Sequence, residues 1–403
     1  MINIAILGFG VIGSGCAEVL TKNKAIIEKR LNKEINIKYI LDLRNFPNNK
    51  FGNLIVHNFE TILNDADVSI VVEMMGGSHP AYDFSIAALK AGKHVVTSNK
   101  EVVANFGAEL LATAAKNNVR YMFEASVGGG IPLIRPMIND LAPNNILSID
   151  GILNGTTNYI LTQMTENNKT FGEALTEAQG KGYAEANPSA DIEGIDAARK
   201  IVILSAIAFS KMIDTDDINV EGINEISTYD IVVAEKLGYT VKLIAHAEKT
   251  DGKITAFVSP RYVSKSNPLY YINDVFNGIL INTDILGQVM FYGQGAGSLP
   301  TASSVVADII DIIAHMDSAA ANISWENALK SDIASFNDYI SSSCLSFIGN
   351  ISDVSKISAV FGNVDISYKD NFLYFISSKM SESDMLVAIN NCPLKLRSRI
   401  KIL

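Results

Sequence analysis

The sequence predicts an α/β protein in three parts. These are a doubly wound parallel sheet over residues 1–130, a mixed α+β region over 131–300, and a small βαββαβ unit over 342–403. Three observations carry this. Short β-branched runs alternate with helical patterns through the first part, at the spacing of βαβ units. Near residue 150 the texture changes to longer strands separated by helices. After a polar stretch at 317–341, the last residues read strand, helix, strand, strand, helix, strand.

The first strand is "INIAILG", and "GFGVIG" follows with Gly8, Gly10 and Gly13 at GxGxxG spacing. The spacing alone is weak, but here it leaves a strand and opens a helix running from about Ile12 to about Lys29. Gly8 permits the tight turn, Gly10 lets backbone approach a pyrophosphate, and Gly13 lets helix and strand pack closely. The amides around Phe9, Val11 and Ile12 would then face the phosphates. This is the Rossmann-type context. The second strand, "NIKYILDL", ends in Asp42 with Arg44 two residues on. An acid there suits the ribose of NAD and an arginine suits the extra phosphate of NADP, so both cofactors stay open. The strands "VSIVVEMMG" and "KHVVTS" come next, separated by the helix "PAYDFSIAALKAG". Ser98 and Lys100 lie where the second of these ends and a helix begins. A lysine has the wrong sign for a helix N-terminus, yet the crest of a parallel sheet is where ligands bind. A residue that breaks a local rule there is a functional candidate. "RYMFEAS" supplies the last strand of this part.

The middle part opens with the strand "SIDGILNG", then helices at 171–180 and 191–210 and the long strands of "TVKLIAHAEKTDGKITAFVSPRYV". In "DIEGIDAARK", Asp196 and Lys200 are four apart and share a helix face. Read alone, that is a solvated helix start. The loop "YGQGAGSLP" leads into a helix at about 300–316, with Thr301 or Ser303 near its cap, that completes the first part. A linker at 317–341 precedes the tail.

The totals narrow the function. The chain has 403 residues, 48% of them hydrophobic and 19% charged, with a net charge of −10, and its pI is near 5.1. It lacks the basic stripe of a nucleic-acid-binding surface. Cys16, Cys344 and Cys392 form no CxxC, which suggests reduced thiols and a cytoplasmic setting. There is no leader-like start and no apolar run of membrane-spanning length.

Seven stretches in order over about residues 1–315 resemble homoserine dehydrogenases: "GFGVIGSG", "VVEMMGG", "GKHVVTSNK", "FEASVGGGIPLI", "GILNGTTNYIL", "GYAEANPSADIEGIDAARK" and "GQGAGSLPTASSVVAD". The fifth and sixth are the most specific. The resemblance implies NAD(P)-dependent interconversion of L-homoserine and L-aspartate 4-semialdehyde, in a homodimer or homotetramer whose second domain carries the substrate and the dimer sheet. It also implies that Glu185, Asp191 and Asp196 hold homoserine, with Asn154 and Thr156 of "NGTTN" positioning it. Lys200 would be the acid/base, Lys100 would lie near cofactor and substrate, and Gly295 or Gly297 would close over the cofactor. "FEASVGGGI" would bind Na+ or K+ through the Glu124 carboxylate and the carbonyls of Val127, Gly129 and Ile131. The tail resembles an ACT regulatory domain, which implies an amino-acid effector. Its first turn, "GNISDVSKI", lacks the Asp-Pro-Gly-like sequence common in such domains.

The chemistry fits those residues. Hydride transfer from an alcohol carbon needs a proton acceptor, and the five histidines belong to no motif. A lysine serves if burial or a nearby cation brings its pKa toward neutrality. Asp196 beside Lys200 opposes that. Two arrangements remain open. A charged Lys200 donates a proton to the aldehyde, or Asp196 faces the substrate ammonium and Lys100 sets Lys200 free. A semialdehyde dehydrogenase with a thioester intermediate would need a placed cysteine, and none is. A sensor module would not need both lysines.

Overall fold

A computed structural model describes residues 1–319 and 323–403. Six parallel strands form the first sheet: β1 (Ile2–Leu7), β2 (Ile35–Leu41), β3 (Ile55–Val56), β4 (Val68–Glu73), β5 (His94–Thr97) and β6 (Tyr121–Met122). Their order is β3-β2-β1-β4-β5-β6, the doubly wound dinucleotide-binding order. β1 and β4 are near-continuous apolar runs because helices cover both of their faces. The expected helix to Lys29 is two, Val11–Lys22 and Lys24–Leu31, with the break at Asn23.

The helix Ser298–Ala314 returns to this sheet, although it lies far along the chain. Its buried Ala302, Val305, Val306, Ile309, Ile312 and Ile313 form one apolar stripe that packs on Ile4, Ile6, Ala17 and Leu20. It starts earlier than expected. Gly297, at φ +119°, stands at its N-cap, so Thr301 and Ser303 lie inside it.

The second sheet is mixed. Gln288–Gln294, Phe276–Thr283, β7 (Ile146–Ile152), Tyr239–Thr250 and Lys253–Ser264 follow one another in space. The helices Gly155–Glu166, Ile195–Phe209 and Thr228–Lys236 pack against it. The predicted helix at 191–210 is split into Ser189–Ile192 and Ile195–Phe209 by Gly194, at φ +87°. This turn puts Asp191 and Asp196 on different helices.

The tail has the expected element order: Ser343–Ile348, helix Val354–Phe361, Ser367–Lys369, Phe372–Ile376, helix Glu382–Asn391 and Leu396–Ile402. It has its own apolar core around Phe347, Ile357, Leu373, Phe375 and Met385. It is not a detached unit. Its last strand pairs parallel with Lys253–Ser264, Arg261 opposite Lys401, so the second sheet runs on into the tail. The stretch expected as a linker is likewise packed where it is described. Trp325 is buried, and a Cβ on Gly107 would lie 2.5 Å from its ring. Residues 320–322 of that stretch lie outside the described residues. Among the described residues, no helix is long and apolar enough to cross a membrane.

Candidate active site

The glycine loop is built as its spacing demands. Gly8 has φ +91°, and a Cβ on Gly13 would lie 2.0 Å from the Gly8 carbonyl oxygen. Gly10 differs, because a Cβ there would meet nothing within 4 Å. The chain itself does not require glycine at that position, whereas a phosphate group seated against the backbone would. Ser298 Oγ donates to the Val11 carbonyl (2.8 Å) and so ties the returning helix to this loop. Asp42 and Arg44 meet instead of competing. Asp42 Oδ1 accepts from Arg44 N and Nε, and Oδ2 accepts from Arg44 Nη2 and Phe9 N, all at 2.9 Å. Hydrogen bonding to the Arg44 side chain holds the carboxyl well below its ordinary range.

The two crest loops after β4 and β5 are locked together by a residue that sequence reading missed. Glu73, fully buried, accepts from Met75 N (2.6 Å) and Thr97 Oγ1 (2.6 Å). Thr97 Oγ1 accepts from Asn99 N (2.9 Å), and Asn99 Nδ2 donates to the Gly77 carbonyl (2.8 Å). Asn99 Oδ1 then caps the helix whose first residue is Lys100. Ser98 Oγ lies 3.5 Å from Met74 Sδ. The available signal was an acid inside the apolar run "VVEMMGG". Burial raises the Glu73 carboxyl to about 7. A raised carboxyl contributes stability that is present below its ordinary pKa and lost as the pH rises through the raised value. The window is therefore about pH 4.5 to 7, on the order of 3 kcal/mol. Glu73→Gln keeps the neutral form. Its melting temperature relative to wild type is expected to climb across that window, and a difference independent of pH would sink the assignment.

Asp196 is the hub of the acid–lysine cluster. Its Oδ1 accepts from Lys100 Nζ (2.7 Å), and its Oδ2 accepts from Lys200 Nζ (2.7 Å) and Asn154 Nδ2 (2.9 Å). Asn154 Nδ2 also donates to Asp191 Oδ1 (2.7 Å), and Lys200 Nζ donates to the Leu153 carbonyl (2.7 Å). Asp196 and Lys200 are buried, so the solvated-face reading of this stretch fails. Lys100 keeps 38% of its side chain exposed. Beside the hub, Glu101 accepts from Ser78 Oγ (2.7 Å) and lies 3.5 Å from Arg199 Nη1, a second contact across the same gap. Thr156 Oγ1 donates to the Tyr183 carbonyl (2.7 Å). Glu185 stands apart. It is exposed, and among the described residues its side chain makes no hydrogen bond or ion pair.

The electrostatics follow from this crowding. Burial alone would raise Asp196, but the charges of Lys200 and Lys100 outweigh it and hold the carboxyl below its ordinary range. Burial lowers Lys200, with Asp196 opposing and the Lys100 charge adding to the fall. Burial raises Asp191, helped by the charge of Asp196. The cluster thus offers a lysine poised to exchange a proton, an anchored anion, and acids able to hold an ammonium.

Models of two families match: "Homoserine dehydrogenase, NAD binding domain" over residues 8–124 and "Homoserine dehydrogenase" over 132–310. The Synechocystis sp. homoserine dehydrogenase is 43% identical over 329 residues, 80% of this chain and 75% of that protein. The chain belongs to the homoserine dehydrogenase family. The Bacillus subtilis enzyme is 38% identical over 319 residues, 78% of this chain and 73% of its own. The crystal structure of a homoserine dehydrogenase from Thiobacillus denitrificans superposes with a TM-score of 0.92 at 31% identity, covering 100% of this chain and 98% of that one. A hyperthermophilic archaeal homoserine dehydrogenase in complex with NADPH gives 0.68 at 31% identity, covering 80% and 99%.

The loop expected to hold a cation differs from expectation at one residue, Glu124. The Glu124 carboxylate accepts from the backbone N–H groups of Leu133, Ile134 and Arg135, so it anchors the helix Ile134–Asn139. It does not fit as a carboxylate ligand. The carbonyls of Val127, Gly129 and Ile131 do fit. These residues are buried, and among the described residues no donor reaches their oxygens. Gly129 packs on Gly295, where an added Cβ would lie 2.1 Å from the Asn277 amide. Gly297 takes its positive φ where the following helix begins.

Proposed function

We propose that this chain oxidises L-homoserine to L-aspartate 4-semialdehyde with NAD(P), and catalyses the reverse, in threonine, methionine and isoleucine biosynthesis. The observation that carries the reading is Asp196 held between Lys100 and Lys200 at 2.7 Å each. Asp191, with Glu185 nearby in sequence, would hold the substrate ammonium. Asn154, the N-cap of the helix Gly155–Glu166, and Thr156, in its first turn, would help position the substrate, Asn154 by holding Asp191 and Asp196. Two N–H groups of Lys200 are committed to Leu153 and Asp196, which leaves the substrate oxygen the lone pair of the neutral amine in oxidation and the third N–H of the ammonium in reduction. Lys200 would take the hydroxyl proton in oxidation and return it in reduction. A nicotinamide held by the Gly8–Gly13 loop, Ser98, Lys100, Gly295 and Gly297 would accept the hydride.

NADP is the favoured cofactor. The four acceptor sites of Asp42 are filled by Arg44 and Phe9, which leaves none for a ribose hydroxyl. Arg44 keeps 63% of its side chain exposed, available to a phosphate. A monovalent cation, Na+ or K+, would sit on the carbonyls of Val127, Gly129 and Ile131. An assembly of two or four copies is supported by Met290 and Tyr292, which are exposed on the edge strand Gln288–Gln294, whose outer side has no partner strand among the described residues. The βαββαβ tail would receive an amino-acid effector, and a cytoplasmic setting suits three buried thiols. The test is reduced-nicotinamide absorbance on mixing the protein with L-homoserine at alkaline pH. Turnover is expected with both cofactors and is faster at low NADP. Arg44→Ala should raise KM for NADP about tenfold and lower that for NAD, because it frees two Asp42 acceptor sites for a ribose hydroxyl. An equal effect on both cofactors would refute the preference. No turnover with either cofactor would refute the function.

A further inference from the structure

In the proposed reaction, hydride donor and acceptor are held by different parts of the chain. The nicotinamide would lie on the crest loops of the first sheet, and homoserine on the acid–lysine cluster of the middle region. Hydride transfer needs the reacting atoms within about 3–3.5 Å, so contacts that cross between the two parts govern the rate. Two helix starts meet at that crossing. The helix Lys100–Lys116 brings Lys100 and Glu101, and the helix Ile195–Phe209, which packs on it, brings Asp196, Arg199 and Lys200.

Two ion pairs of opposite polarity join these helices. The inner pair is Lys100 Nζ to Asp196 Oδ1 at 2.7 Å, and the outer pair is Arg199 Nη1 to Glu101 Oε2 at 3.5 Å. A slip that exchanged partners would set Lys100 against Arg199 and Glu101 against Asp196, like charge on like. The other Glu101 oxygen, Oε1, accepts from Ser78 Oγ (2.7 Å) in the crest loop after β4. The Asn99 amide holds the same loop through the carbonyls of Met75 (3.3 Å) and Gly77 (2.8 Å). One carboxylate therefore links Arg199, on the substrate side, to a loop on the cofactor side.

We infer that Arg199 is a positioning residue for hydride transfer, holding the crest loop and the start of the helix Lys100–Lys116 against the substrate cluster through Glu101. This deepens the proposed function and rests on it. The two pairs divide the work. The inner pair belongs to the reacting cluster, where an arriving substrate competes with Lys100 for Asp196. The outer pair stands outside it. Among the described residues, neither Arg199 nor Glu101 makes a side-chain hydrogen bond or ion pair with Asp191, Asn154 or Lys200. It can keep the helix starts in register while the inner pair opens. Its side chains remain 32% and 29% exposed, and such a pair contributes little to stability. Its effect is on placement.

The test combines amide hydrogen exchange on the resting full-length protein with steady-state kinetics. Arg199→Ala should speed exchange about threefold or more over 75–78 and 99–104, with the strand Ile2–Leu7 unchanged. Its melting temperature should stay within about 2 °C of wild type. Its kcat for homoserine oxidation should fall about 10- to 100-fold, with KM for homoserine and NADP within about twofold. Arg199→Lys keeps the charge and should recover most of kcat. Glu101→Gln combined with Arg199→Ala should cost no more than the worse single change, because the two side chains act as one unit. Unchanged exchange over 75–78, or losses that multiply in the double variant, would overturn the inference. A raised KM for homoserine at unchanged kcat would make Arg199 a substrate-binding group, which also overturns it. The exchange readout needs no turnover. An inactive wild type would refute the dehydrogenase reading, and unchanged exchange in Arg199→Ala would refute this one.

Discussion

Lys200→Met is expected to lower kcat for homoserine oxidation by about 10²–10⁴-fold while cofactor binding survives. The factor is that of a lost general base, because the neutral amine of Lys200, with both N–H groups on Leu153 and Asp196, keeps its lone pair for a proton inside the buried cluster. Methionine keeps the length and apolar stem of lysine and removes only the proton carrier. The Asp196 charge left behind still has Lys100 at 2.7 Å, so the fold should hold. Titration with NADP by fluorescence, alongside single-turnover absorbance, separates the two effects. Loss of cofactor binding together with turnover would mean that Lys200 is structural.

Asp196→Asn tests the other half of the pair. Asp196 raises Lys200 while burial and Lys100 lower it, so removing the carboxylate charge shifts Lys200 further down. The ascending limb of the kcat–pH profile for homoserine oxidation is therefore expected to move to lower pH. Its plateau should fall about 10²-fold as the two lysines lose their shared anchor. Stability should fall as well, by about 3–5 kcal/mol, the usual effect of breaking a buried ion pair on one side. The sign with pH is fixed by the depressed Asp196 carboxyl. Its contribution is present above its ordinary pKa and is lost as the pH falls through the native value, so wild type and variant should converge on acidification. A limb that stays in place, with only KM raised, would show that Asp196 serves substrate binding and does not set the proton on Lys200.

Some of this was legible in the residues themselves. Alternating β-branched runs and helical patterns gave the parallel sheet. A GxGxxG between strand and helix gave the phosphate loop, and a four-residue spacing gave the Asp196–Lys200 pair. Each is a local regularity, set by backbone period and the steric freedom of glycine, and so readable within a dozen residues. Even Lys100 was legible, because its charge breaks a local rule at a known ligand crest.

Only the tertiary structure decided the rest. Spacing could not show that Asp196 also receives Lys100 from another helix, because that depends on how two domains pack. Asp42 and Arg44 read as rival cofactor signals, whereas the folded loop satisfies one with the other. Glu124 looked like a ligand until its carboxylate was found on the backbone N–H groups of a later turn. The tail read as a separate unit because strand pairing between distant segments leaves no mark on either sequence. In the fold, Arg261 and Lys401 lie side by side in one sheet. The sequence by itself singled out the candidate residues for the chemistry. The close approach of groups distant along the chain, in a dry interior where charges act strongly on one another, determined their protonation and partners.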